Sequence, residues 1–151
     1  MLPVLRRNNT ESRAKRILGK MSCFISASSE ETRTPPYPHG TMLGKFLGVY
    51  KNPSPEDLLV TTKGIAVRTD TQFRFFSYAT IRDPHIVSDG QALRDDGSTK
   101  HLADGISITT EDNRQVTIPV RGGNKPFRDV FEFWRFLNRA IAEAALPQKG
   151  D

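Results

Sequence analysis

Only a few short groups of residues in this chain have types and spacing that could do chemistry. Arg121-Gly122-Gly123-Asn124-Lys125, with Arg128 close behind, leads into an apolar periodic stretch. Glycines leave backbone N–H groups open and a helix N-terminus carries partial positive charge, so Arg121, Gly122, Gly123, Lys125 and Arg128 are the best anion-binding candidates. Asp129, in the first turn, would oppose a bound phosphate, and a flexible connection with a basic rim is the plainer alternative. A second group is acidic: Asp89, Asp95, Asp96 and Asp104 stand against only Arg94 and Lys100 in and beside the polar stretch 88–103. Such a stretch exceeds an ordinary connection, which favours either a contact surface for a basic partner or a plain insertion. His85, after Asp83-Pro84, and His101, near Asp95, Asp96 and Asp104, could bind metal or move protons. Their spacing lacks the regular oxygen ligands and terminal Glu of a calcium loop, so no metal and no cofactor is expected. Ser77, Ser107 and Thr109 lie outside any G-x-S-x-G elbow, which argues against an enzyme. Cys23 stands alone, excluding an intrachain disulfide and a four-cysteine zinc site.

The formal charge of +5 gains meaning once it is located. Residues 1–20 carry Arg6, Arg7, Arg13, Lys15, Arg16 and Lys20 against Glu11, a net of +5, so the remainder of the 151 residues is balanced. A nucleic-acid-binding domain usually carries basic surface on its folded part, and nucleic acid is therefore not an expected partner. Phe73, Phe75, Phe76 and Tyr78 have base-stacking chemistry, but in strands beside an aromatic helix they read as core. Ala14, Ile17, Leu18, Met21, Phe24 and Ile25 recur at helical spacing over residues 10–25, with Thr10 as N-cap, while Arg13, Lys15, Arg16 and Lys20 share the opposite face. Such a helix docks on its own domain, lies on an acidic membrane surface or enters a partner's groove, and those four residues are the membrane-contact candidates.

The elements that must position these groups follow from periodicity and turn chemistry. A basic N-terminal arm (1–25), a Pro- and Ser-rich linker (26–41), one domain (42–146) and a short tail (147–151) are expected. Within the domain, strands are expected at Leu43–Tyr50, Leu58–Thr62, Ile65–Thr69 and Phe73–Tyr78, with Gly64 supplying positive φ, and the last of these leads on towards Val87. Gly105–Thr110 and Gln115–Val120 alternate apolar and polar residues across Glu111–Arg114, a hairpin pattern. Phe127, Val130, Phe131, Trp134, Leu137 and Ile141 then mark the sheet-facing stripe of a closing helix, stopped by Pro147. Strands followed by a terminal helix make an α+β order. Apolar runs are too short for a bilayer, so a soluble, cytoplasmic protein is expected.

Three segments carry a family resemblance: LLVTTKGIAV (58–67), FRFFSYATI (73–81), and ISITTEDNRQVTIPV (106–120) followed by FRDVFEFWRFLNRAI (127–141). Together they resemble the PH-like superfamily, especially GRAM-type and bacterial PH-like domains, over roughly residues 43–145. The resemblance implies a twisted antiparallel sandwich or barrel of about six or seven strands, closed by one C-terminal amphipathic helix, and a non-catalytic binding role. Phosphoinositide-gripping members place several cations between their first two strands. Here that loop is Asn52–Asp57, with no cation, or Lys63-Gly64, with one. The expected function is protein–protein interaction with weak acidic-membrane contact through the arm. The alternatives are a small bacterial immunity protein occluding a toxin, and a hydrolase with an unrecognised site.

Overall fold

The structure is a computed structural model that describes residues 9–27, 44–53, 56–69, 72–88, 91–92, 103–123 and 129–145. Helix α1 (Thr10–Ile17) runs into a 3-10 turn (Leu18–Lys20) and strand β1 (Phe24–Ser26). Strands β2 (Phe46–Tyr50), β3 (Leu58–Thr61), β4 (Gly64–Thr69) and β5 (Gln72–Ser77) follow. Then come β6 (Arg82–Ser88), β7 (Gln91–Ala92), β8 (Gly105–Thr109), β9 (Gln115–Pro119) and helix α2 (Asp129–Ala144). All pairing is antiparallel, in a five-stranded sheet of order β1-β2-β3-β4-β5 and a four-stranded sheet of order β7-β6-β8-β9. The fold is α+β. No described helix is long and apolar enough to cross a membrane.

From β3 to β5 the first sheet is a meander because two-residue connections join its strands, which are rich in β-branched and aromatic residues. Thr61 sets the β3–β4 turn: its Oγ1 accepts from the N–H groups of Lys63 (3.1 Å) and Gly64 (3.0 Å) and donates to the Gly64 carbonyl (3.0 Å). Gly64 is needed there for space and not, as expected, for positive φ. A Cβ at that position would fall 2.3 Å from the Phe76 carbonyl oxygen and 2.6 Å from the Phe75 ring. Leu58, Val60, Ile65, Val67 and Phe76 face the main core, whereas Leu59, Ala66, Phe46 and Val49 form a second apolar cluster with Phe73 and Phe75. The chain changes sheets at Tyr78, which is fully buried. Its hydroxyl donates to the Thr61 carbonyl (2.9 Å) and its ring meets Phe136 edge-on at 6.3 Å. Burial pushes that hydroxyl far above the ordinary tyrosine pKa, with the Glu143 charge adding to the shift.

Helix α2 closes the core. Val130, Phe133, Phe136, Leu137 and Ala140 are its buried face. Each fully buried large side chain among them contributes roughly 1.5–3 kcal/mol. Tyr50, Phe133 and Phe136 form a run of edge-on aromatic contacts at 5.7 and 6.0 Å. The stripe is thus centred on Phe133 and Phe136, not on Trp134, which with Phe131 and Ile141 is only partly buried. Trp134 reaches the rim instead and donates its indole N–H to the Pro84 carbonyl (2.9 Å). That carbonyl is offered by an irregularity in β6, where Asp83 sits at φ 51° and the register against β8 shifts.

Three further expectations change. The N-cap of α1 is Asn9, whose side chain accepts from the Ser12 N–H at 2.8 Å, and Thr10 is the first helical residue. The helix does not run on to Ile25: Met21 is extended (φ −81°, ψ 134°), and Phe24 and Ile25 pair with Tyr50 and Val49 as β1. Residues 10–25 of the expected arm thus contribute a docked helix and most of an edge strand, with Ala14, Leu18 and Met21 in the main core, and residues 1–8 lie outside the described residues. Gln91–Ala92, expected within a loop, pairs with β6 as β7.

Candidate functional site

The leading anion candidate lies before α2, and its described part, Arg121–Gly123, is held by the protein's own groups. The Arg121 N–H donates to Asn52 Oδ1 (2.7 Å), and the Gly122 N–H to the Tyr50 hydroxyl (2.9 Å). Tyr50 in turn donates to Asp129 Oδ2 (2.8 Å), and the Asp129 N–H donates to the Gly122 carbonyl (3.3 Å). Gly123 has φ 92°, and a Cβ there would fall 2.8 Å from Asp129 Oδ1. The Asp129 carboxylate therefore sits where an incoming anion would need to go. Arg121 pairs with Glu56 at 2.6 Å. Arg121, Gly122 and Gly123 thus form part of a structural latch joining β2, the turn and α2. Burial, followed by the hydrogen bond and charge of Asp129, pushes the Tyr50 hydroxyl well above its ordinary pKa. Cys23 packs here too: a Cβ on Gly122 would lie 2.6 Å from its Sγ. Lys125 and Arg128 lie outside the described residues.

Asn52 completes the same corner. Its Nδ2 donates to the carbonyls of Glu56 (2.6 Å) and Pro119 (3.0 Å), so one buried amide ties the end of β2 to the end of β9. Beside it, buried Asp57 lies 3.5 Å from Lys51 and 4.0 Å from Arg68.

The four membrane-contact candidates separate. Arg13 turns inward and pairs with Glu143 of α2 at 2.7 Å, its side chain 14% exposed, so it is not available to a membrane. Glu11 pairs with Lys45 at 2.7 Å, and these two ion pairs fix α1 against α2 and the start of β2. Lys15, Arg16 and Lys20 remain exposed. Arg16 and Lys20 meet Arg135 and Arg139 of α2 across a cleft of about 750 Å³, lined also by Ile17, Met21, Asp129 and Glu132. Sequence reading missed this composite site, because its two halves lie more than 100 residues apart. Its one local signal is Arg135 and Arg139, four residues apart on one helical face.

The other candidates do not converge. Asp104 is half-buried, and its backbone bridges Val87 and Val120. Asp89, Asp95 and Asp96 lie outside the described residues, as does His101. His85 is exposed, with Nδ1 3.1 Å from the Asp83 carbonyl oxygen. Ser77 Oγ accepts from the Ala79 N–H (3.2 Å) where the chain leaves the first sheet. Among the described residues no group of three or more His, Cys, Asp or Glu could hold a metal ion. Comparison with protein-family models, curated proteins and solved structures gives no match for this chain.

Proposed function

We propose that this chain is a non-catalytic, cytoplasmic binding module on a PH-like scaffold, acting mainly through protein–protein contact. The observation that carries this reading is the element order. A four-strand meander (β2–β5), then the antiparallel run β6, β8 and β9, and last the helix α2 is the order that the three family-like segments imply. On this reading β1, α1 and β7 are additions to the scaffold. The groups with catalytic residue types also favour it, since Thr61, Ser77, Tyr50, Tyr78 and Asp129 all hold turns or join elements. Weak contact with an acidic membrane surface would fall to Lys15, Arg16 and Lys20, without Arg13.

Affinity capture with the full chain, followed by titration of the purified partner, tests the reading. A saturable complex with one protein is expected, with no turnover in a broad hydrolase screen. Turnover abolished by a single substitution would overturn the non-catalytic reading. Failure to find any saturable protein partner would overturn the protein-contact reading.

A further inference from the structure

We propose that the cleft between α1, its 3-10 turn and α2 is the contact surface of this module, and that it takes an acidic peptide segment carrying an apolar side chain. The inference rests on the binding-module reading and names the partner's chemistry. Arg16 and Lys20 stand on one wall and Arg135 and Arg139 on the other, with Ile17 and Met21 supplying apolar lining. Lys20 and Arg139 are exposed and meet no carboxylate within ion-pair distance among the described residues, whereas Arg135 pairs with Glu132 at 3.4 Å, and Arg13, Lys45, Lys51, Arg68 and Arg121 each have a carboxylate partner. Their field is thus directed at whatever enters the cleft.

Shape and sign favour a peptide over a bilayer. The cations line a concavity, which a flat lipid surface cannot fill. Asp129 and Glu132 also line the cleft. They would repel lipid phosphates and peptide carboxylates alike, but a peptide also brings backbone N–H donors that the exposed Glu132 carboxylate can accept. The volume of about 750 Å³ is ample for several side chains. The walls are also set in advance, because Arg13–Glu143 and Glu11–Lys45 hold α1 in place, which reduces the ordering cost of binding.

The test uses the full chain and a fluorescent synthetic peptide of alternating glutamate and leucine, with an alternating lysine and leucine peptide as counter-probe. Saturable binding of the acidic peptide is expected, weaker at high salt, with none of the basic one. The double substitution Lys20→Glu with Arg139→Glu should weaken binding by at least about tenfold. Lys20→Gln with Arg139→Gln, which guards against a folding defect in the first variant, should lose less. Lys63→Glu, an exposed cation on the β3–β4 turn, should change binding by less than about twofold. Undiminished binding in both double variants, an equal loss with Lys63→Glu, or no saturable binding overturns the proposal. So does tighter binding to phosphatidylcholine vesicles doped with phosphatidylglycerol than to the peptide. If a captured protein binds the double variants as tightly as the wild type, the cleft falls while the module reading stands. If the peptide binds as expected but no protein partner is found, the cleft chemistry stands and the module reading falls.

Discussion

In the turn before α2, Arg121 pairs with Glu56, and the N–H groups of Arg121 and Gly122 already donate to Asn52 and Tyr50. Beside it, Lys20 and Arg139 line an open cleft and meet no described carboxylate within ion-pair distance. The two regions share residue types, cations beside a helix, yet one is closed and the other is available. A basic residue or an exposed amide marks a binding site only when the surrounding packing leaves it unsatisfied. A buried donor must find a partner within the fold, and the nearest acceptor was a side chain of this chain itself.

Substitutions should separate the two regions by stability first. Gly122→Ala should cost about 3 kcal/mol, because the new Cβ would lie 2.5 Å from the Tyr50 hydroxyl and 2.6 Å from Cys23 Sγ. Denaturant melts check this, and a midpoint equal to that of the wild type would mean the latch is loose. Tyr50→Phe should cost about 1–3 kcal/mol, since it leaves the buried Gly122 N–H without its acceptor. The same residue predicts a pH dependence. Its folded pKa is raised, so its contribution is complete below pH 10 and is lost as pH rises above the unfolded value of 10.0 and that state releases its proton. Wild-type stability should therefore fall above about pH 10, and less steeply in Tyr50→Phe. The smallest effect belongs to the cleft: Lys20→Gln with Arg139→Gln should stay within about 0.5 kcal/mol of wild type. A larger loss would show that these cations hold the fold, and would remove the contrast.

Local signals were legible, and long-range ones were not. The β8–β9 hairpin could be read from alternation around Glu111–Arg114, and Asn113, at φ 63°, occupies its turn. The β3–β4 turn could be read from Lys63-Gly64, though Gly64 is needed for space and not for φ, and the part Thr61 plays in it showed only in the structure. The 3.6-residue period marked α2 but blurred its buried face, because Phe131, Trp134 and Ile141 at its edges are as apolar as Phe133 and Phe136 at its centre. β1 was hidden since Phe24 and Ile25 continue the helical spacing, and only pairing with Tyr50 and Val49 makes them a strand. The cleft left little trace in the sequence, since Arg16 and Arg139 become neighbours only after α1 docks. The latch was misread for the same reason: Asp129 was visible as an opposing charge, but not as the occupant of the glycine turn.

The β1–β2 pairing has a consequence for the order of folding. β3 and β4 are joined by two residues, Thr62 and Lys63, whereas 19 residues separate Ser26 from Phe46. Closing the longer loop costs more chain entropy, so the β3–β4 hairpin can form before β1 finds its register. The edge strand and α1 then make a late-joining unit whose docking covers the flank of a sheet already assembled. Such units open at lower free energy than the core they cover. Amide protons of α1 and β1 should exchange with solvent through that partial opening, while those of β3 and β4 wait for the whole domain to unfold.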